Sequence, residues 1–590
     1  MKIERMLRLV MLACLSVAIL IALQISDLQL ASFGIDGFSP LQAARAQQNQ
    51  QEAGISGQLM DAQNQPVVEA DILLMTPALD APLAETQSQP DGSFLLTLPE
   101  LSDLGMSTLP TELSVHIERH HFTPYTVQLT ADERQLLLMD ETVNLPEITL
   151  ERHIGPAFWV ATLIFILVLA LIAAGSFHNT LSTLLGVSLI YAVSYLAAPL
   201  ISEQLYIFGF YRSLIYVDWN VIFLIMGMMI IIAVVERTGI FQWLAFNAYR
   251  ISGGRMWLLM VILMIFTGIA SAFLDNVTTM LLMTPITIQI ALALNLNPLA
   301  LLMPEVFASN VAGISTLVGT PTNILIGSYA SISFNDFLIN QTPGVVLALI
   351  GLALYCVYIY RNGLLQSGDI SPRLLASLEE RAQITEPEHL KKAAVVGTGM
   401  VLLFVLGERV HMVPAVTALM GATALILWIR PNIEEMIEAV DWTTLVFFIT
   451  LFMVVGAVQE VGLIALVASA IGRVVGDSLP LAMLVVTYAS ALLSTVIANI
   501  PFTAAMLPVV RFLSDSIPAA TNKVLFYCLS MGSAMGGNGS LIGASANMVT
   551  SGISERAGYT ISYGYFLRKG MPAMLITVTL GLIWLFIRFG

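Results

Sequence analysis

The sequence predicts an all-α polytopic membrane protein. It is expected to contain two inverted repeats of about five transmembrane helices each, with re-entrant hairpins and broken helices, after an N-terminal extracytoplasmic β-sandwich. Three observations carry that prediction. The 590 residues are 57% hydrophobic and 11% charged, whereas soluble domains carry about a quarter charged residues. One set of motifs recurs at a nearly constant separation. The acidity is confined to one segment: residues 47–152 hold 17 Asp/Glu against Arg119, Arg134 and Arg152, and the hydrophobic remainder is close to neutral.

The N-terminus reads first. Lys2, Arg5 and Arg8 precede the apolar run Leu9–Leu23, the pattern of a secretory signal. Ala44-Arg45-Ala46 offers a cleavage-like site farther from that run than usual. Residues 1–46 are therefore a signal peptide or a signal anchor, and either places residue 47 onward on the outer face.

Within 47–152, residues 53–150 read as short strands. Ile55–Asp61, Val67–Leu74 and Asp91–Leu98 alternate in polarity and are separated by turn residues such as Asn64, Pro66 and the Asp91-Gly92 pair. This set resembles the transthyretin-like, carboxypeptidase-regulatory type of small β-sandwich, a resemblance that speaks for fold and not for function. Cys14, Cys356 and Cys528 all lie outside the segment, so no disulfide or zinc pattern arises within it. His116, His120 and His121 lack the Cys or carboxylate pattern of a metal site.

From 153 onward, apolar stretches long enough to cross a bilayer recur near 157–175, 181–201, 219–235, 343–361, 392–408, 413–429, 442–458 and 571–587. Between them lie 257–334 and 480–553, which are apolar but interrupted by Gly, Pro, Asn and Thr. Val217-Asp218-Trp219 returns as Val440-Asp441-Trp442, 223 residues later. At the same separation Gly239 returns as Gly462, Ser271 as Ser494, Asn276 as Asn499 and Pro285 as Pro508. The run 317–323 matches 541–547 at 224. A separation held within one residue over such a length indicates duplication.

Matched loops differ in charge. Segment 236–255 carries Arg237, Arg250 and Arg255, while its counterpart 459–479 has only Arg473. Segment 331–342 has no base, while 554–570 has Arg556, Arg568 and Lys569. By the positive-inside tendency the copies are inverted. The expected organisation is repeat 1 at 153–361, a cytoplasmic linker at 362–391 and repeat 2 at 392–590.

The chemistry is expected at the interruptions. Asp275-Asn276-Val277-Thr278-Thr279 places an acid inside an apolar hairpin, which costs about 2.5–3.5 kcal/mol on insertion scales. A bound cation, a proton or local hydrogen bonds must offset that cost, and Asp275 could also cap the following half-helix, which Pro285 is expected to keep short. The second copy keeps Asn499 and Thr503 but has Ala498 in place of Asp275. The second kind of interruption runs through Gly319, Thr320, Thr322 and Asn323 in one copy and Gly543, Ser545 and Asn547 in the other. Four glycines within 536–543 disfavour a continuous helix. Unwound backbone at membrane depth is tolerated where it lines a cavity, and there it offers carbonyls to Na⁺ and amides to anions. Asp275, Asn276, Thr278 and Thr279, the residues of the two broken segments, Asn499 and Thr503 form the candidate site. Asn276, Asn323, Asn499 and Asn547 are the candidate Na⁺ ligands.

These motifs together resemble the ion transporter superfamily, which includes arsenite permeases, sodium–proton antiporters of the NhaD type, the P protein and citrate and dicarboxylate transporters. The resemblance covers roughly 155–590. The Asp-Asn tip is most similar to the arsenite, NhaD and P-protein branch. The resemblance implies a homodimer and elevator-like alternating access; a Na⁺ or H⁺ coupling ion and a bacterial inner-membrane location are expected. Na⁺/H⁺ antiport or ion-coupled anion transport is the expected activity. A citrate, dicarboxylate or oxyanion permease of the same fold is the alternative, and a membrane-anchored sensor a second one. No phosphate-binding GxxxxGK[ST] loop, nucleophile–base pair or basic nucleic-acid-binding face occurs, so neither an ATP-driven pump nor an enzyme is expected, and no cofactor. The partner of the outer domain is not readable.

Overall fold

The computed structural model describes residues 54–365 and 383–590, apart from 62–65, 78, 80, 99–109, 111, 140, 176 and 521. The expected signal segment and most of the linker lie outside the described residues. The chain divides into two compact units, 1–153 and 154–590.

The first unit pairs two four-stranded sheets. One is ordered β4(Ser93–Thr97), β1(Gly54–Asp61), β7(Val143–Asn144), with β8(Ile148–Leu150) also pairing with β1. The other is ordered β3(Ala84–Gln87), β2(Asp71–Met75), β5(Ser114–Glu118), β6(Tyr125–Gln128). Alternation places Ile55, Leu59, Ile72, Leu74, Leu96 and Ile117 inward, all fully buried. Within the stretch read as strands, α1(Ala131–Leu138) is a helix. A capping box between Thr130 and Glu133 starts it, a local signal stronger than its weak apolar pattern.

The second unit opens with α2(Pro156–Ala174) and α3(Asn179–Leu200), then the short α4(Phe210–Ile215). It continues with α5(Trp219–Glu236), α6(Ile240–Ser252), α7(Met256–Phe273), α8(Asn276–Ala293), α9(Leu299–Ala312), α10(Pro321–Tyr329), α11(Phe334–Asn340) and α12(Thr342–Leu365). After the linker come α13(Pro387–Leu406), α14(Pro414–Ile429), α15(Ile433–Glu438) and α16(Trp442–Glu460). The last elements are α17(Leu463–Val475), α18(Leu479–Ser494), α19(Asn499–Ser516), α20(Val524–Gly536), α21(Ser545–Arg556) and α22(Tyr563–Phe589). Among the described residues, 9 helices are long and apolar enough to cross a membrane.

The duplication is visible element by element. Asp218 caps α5 and Asp441 caps α16, each accepting from the second and third amides beyond it. Gly239 and Gly462 start α6 and α17 in the left-handed region, at φ 77° and 91°. These two short helices were not anticipated, because neither reaches membrane-spanning length. Pro285 and Pro508 both lie inside 18-residue helices, so the expectation that Pro285 shortens its helix is corrected: α8 runs through it.

The copies are also antiparallel. Arg212, just before α5 begins, pairs with Glu460 at the end of α16 at 3.3 Å. Arg237, just after α5 ends, pairs with Glu435, just before α16 begins, at 2.7 Å. The start of each matched helix therefore lies beside the end of the other, which is what inversion requires. Packing follows the same exchange: α3 lies on α16 and α14 on α5, while α8 lies on α21 and α10 on α19.

Candidate functional site

The first hairpin, α7–α8, turns at Leu274. Asp275 then takes extended backbone and caps α8: its Oδ1 accepts from the amides of Val277 at 2.9 Å and Thr278 at 3.0 Å. Its Oδ2 accepts from Thr278 Oγ1 at 2.5 Å. The carboxylate thus satisfies two of the amides that every helix start leaves orphaned. Asn276 is buried and its Nδ2 donates to Asn310 Oδ1 on α9 at 2.8 Å. Thr279 is buried, and its hydroxyl has no partner among the described residues.

The second hairpin, α18–α19, has no such cap, because Ala498 has no side-chain acceptor. Its tip is tied instead by the backbone, Asn499 N donating to Gly543 O at 3.2 Å. Thr503 Oγ1 donates to Asn499 O at 2.7 Å, so that hydroxyl is engaged within its own helix.

Both long helices break in the same way. One 3₁₀ turn follows α9 (Gly313–Ser315) and one follows α20 (Gly537–Gly539), and the chain then extends at Thr316 and Ser540. Thr316 Oγ1 donates to Ala272 O, and Ser540 Oγ donates to Thr495 O, fastening each break to its own hairpin arm. Asn323 Nδ2 donates to Ile314 O at 3.0 Å and Thr316 O at 2.7 Å. Asn547 Nδ2 donates to Gly537 O at 2.8 Å and Ser540 O at 2.9 Å. These amides answer carbonyls that an unwound segment would otherwise leave unpaired in an apolar core.

Close approach explains Gly319 and Gly543. A Cβ at Gly319 would meet Gly313 O and lie 2.6 Å from Ser271 O, and one at Gly543 would lie 2.9 Å from both Gly537 O and Ser494 O. Thr320 caps α10 through Asn323 N and bonds Thr322 at 2.9 Å. The matched α21 starts at Ser545 behind Ala544 with no side-chain cap.

Two networks cross between the repeats. Asn310 Nδ2 donates to Asn538 Oδ1 and Asn547 Oδ1, each at 2.9 Å, extending the chain that starts at Asn276. Ser530 Oγ donates to Asn323 Oδ1 at 2.6 Å. Each loop asparagine is therefore held by the opposite repeat's broken helix, and each amide oxygen keeps one further lone pair. The structure joins Asn276 to Asn547 by side chains and Asn499 to the second break by its backbone, whereas Thr278, Thr279, Thr503 and Ser545 stay outside these networks. Asn310, Ser530 and Asn538 were not among the expected site residues, although polar side chains in apolar helices are the signal that would have found them. Among the described residues no three His, Cys, Asp or Glu cluster as metal ligands. A cavity of about 490 Å³ lies away from the tips, beside the middle of α8, lined in part by Glu236, Gln242, Pro285, Gln289 and Thr385.

Comparison with known proteins gives consistent relatives. A family model described as citrate transporter matches residues 167–522. A 46 kDa membrane protein of Mycobacterium leprae is 35% identical over 434 residues, covering 73% of this chain and 98% of that protein. The human P protein is 32% identical over 509 residues, covering 72% of this chain and 59% of its own length. Among solved structures, the YdaH transporter of Alcanivorax borkumensis aligns with a TM-score of 0.46 at 14% identity, over 73% of this chain and 98% of that one.

Proposed function

The chain belongs to the citrate transporter family, and on that premise we propose that this membrane transporter carries a small anion across the bilayer, driven by a coupling ion. One observation carries the reading. In the first repeat the helix starts at both interruptions are closed by their own side chains, Asp275 and Thr320. In the second repeat α19 and α21 begin behind Ala498 and Ala544 with no side-chain cap. A helix start of this kind favours an anion, since amide groups and the helix dipole both face it. The anion would lie at the amides near Ser545, within reach of Asn499, Gly543 and Asn547. Asn276 and Asn323, with Asn499 and Asn547, would supply oxygens to Na⁺ if Na⁺ is the coupling ion. The elevator motion, the homodimer and a bacterial inner-membrane location with 47–152 outside and 362–391 in the cytoplasm belong to the same proposal. Family membership sets aside the non-transporting sensor.

A second reading is Na⁺/H⁺ antiport with Asp275 as the titrating group. It is favoured by the absence of a basic partner for Asp275 among the described ion pairs, its bonds being to Val277 and Thr278 alone. Thr278 serves the cap, and Thr279 has a free hydroxyl that either ion could use.

Uptake by purified protein in proteoliposomes separates the two. Citrate, succinate, sulfate and arsenite are offered under imposed Na⁺ and pH gradients. The anion reading expects gradient-driven, saturable uptake of at least one, reduced by Ala544→Ser, which would install a cap where the anion sits. Exchange of Na⁺ for H⁺ without uptake of any anion would sink it.

A further inference from the structure

The broken helix α9 carries a carboxylate that the tips do not use. Glu305 is fully buried, with 0% exposure. Its Oε1 accepts from Thr287 Oγ1 on α8 at 3.0 Å and Thr267 Oγ1 on α7 at 3.3 Å, and its Oε2 has no hydrogen-bond partner. It precedes Asn310 by five residues on α9, about 7.5 Å along the axis at ~1.5 Å per residue. It is therefore distinct from the asparagine network.

Among the described residues no counter-charge reaches it. The elements packed on α9 include α7, α8 and the turn 537–539, which contain no titratable residue. On α12, Tyr355 donates to Lys569 O and Arg361 lies over Tyr358. Lys569 on α22 lies over the ring of Tyr360. Elsewhere on α22, Arg568 donates to Gly564 O and Arg588 to Asn340. Tyr527 on α20 is bonded to Asn340. Among the described residues Glu305 bonds to Thr267 and Thr287, not to Cys356, Cys528, Tyr563 or Tyr565, and Glu555 and Arg556 sit at the exposed end of α21. An ionised carboxylate whose only partners are two hydroxyls in an apolar core is costly, whereas a neutral carboxyl needs no counter-charge.

We propose that Glu305 is a proton-binding site, protonated on Oε2 in this arrangement. It releases the proton to water when the α7–α8 hairpin, which supplies Thr267 and Thr287, shifts against α9. A metal cation is a poorer fit, since the two hydroxyls are already turned to Oε1 and no other oxygen is bonded there. The proposal concerns protonation alone and is independent of which solute is carried.

Infrared difference spectroscopy of the full-length protein in lipid, across a pH titration, tests it without a substrate. The expected result is a carbonyl band of a neutral, weakly hydrogen-bonded carboxyl that Glu305→Gln removes. Thr287→Val should shift the same band without abolishing it, which keeps the test usable if Glu305→Gln fails to fold. Thermal melting supplies a second readout. The wild type should lose stability relative to Glu305→Gln as pH rises, because the unfolded chain releases a proton that the folded chain keeps. Two outcomes would overturn the assignment: no carbonyl band sensitive to these substitutions, or identical pH dependence of melting.

Discussion

Asn310 Nδ2 and Asn547 Oδ1 stand 2.9 Å apart although 237 residues separate them in the chain. The broken helix of one repeat thus fastens the unwound loop of the other. Asn310 also bonds Asn276 and Asn538, so one side chain joins a hairpin tip to the opposite break. Replacing it with Ala takes the acceptor from Asn276 Nδ2 and the donor from the Asn538 and Asn547 amide oxygens, and a buried polar group left unsatisfied costs about 1–3 kcal/mol. Asn310→Ala is expected to lower the melting temperature clearly and to abolish transport. A variant that melts and transports like the wild type would show that the network holds nothing.

Asp275 separates capping from coupling. Asn is as good an N-cap as Asp, while Ala costs about 0.5–2 kcal/mol. Asp275→Asn should therefore melt close to wild type and Asp275→Ala below it. If Asp275 also carries the coupling proton, Asp275→Asn removes the pH dependence of transport while leaving stability intact. Unchanged pH dependence in proteoliposomes would reduce the residue to a cap.

The glycines at the breaks give a graded series. An added methyl at Gly319 meets two carbonyls more tightly than one at Gly543, where the nearest oxygens are 2.9 Å away. Overpacking typically costs about 1–3 kcal/mol. Gly319→Ala is expected to be the more damaging, with Gly543→Ala next. Gly399→Ala, inside α13 with nothing within 4 Å, should be neutral or slightly stabilising. Melting of the three variants checks the order.

The two ion pairs that mark the inversion should differ in strength. Glu460 is buried, and both Arg212 and the Tyr216 hydroxyl bond to it. Removing Arg212 takes the ion-pair partner from that buried carboxylate and leaves the Tyr216 hydroxyl on it, and breaking buried pairs costs about 3–5 kcal/mol. The Arg237–Glu435 pair is about half exposed, with 44% and 49% of the side chains accessible. Its loss should be small and weakened further by salt. Arg237 holds the Glu435 carboxyl below its usual range through a hydrogen bond and its charge. The pair's stabilisation is therefore present at neutral pH and fades as pH falls through that lowered value. Glu435→Gln should remove this acid-side dependence in melting curves.

Much of this was legible in the sequence because it is local. Hydropathy marks segments able to cross a bilayer, Gly and Pro mark breaks, and Asp275 before an apolar helix marks its start. Duplication preserved those signals at one separation, so the hairpins and both broken segments could be placed from residues alone. The short helices α6 and α17 were missed because their length lies below the hydropathy signal.

The sequence alone therefore determined the membrane class, the duplication and the positions of the interruptions, all of which depend on near neighbours. Only the tertiary structure decided who answers each buried polar group. Thr267 and Thr287 reach Glu305 from 38 and 18 residues away, Ser530 reaches Asn323 across 207 residues, and Asn310 reaches Asn547 across 237. The Glu305 pairings arise from packing of the α7–α8 hairpin on α9 within the first copy, and the other two from antiparallel packing of the two copies. In an apolar core with no water to bond, that packing fixes which donor lies near each acceptor.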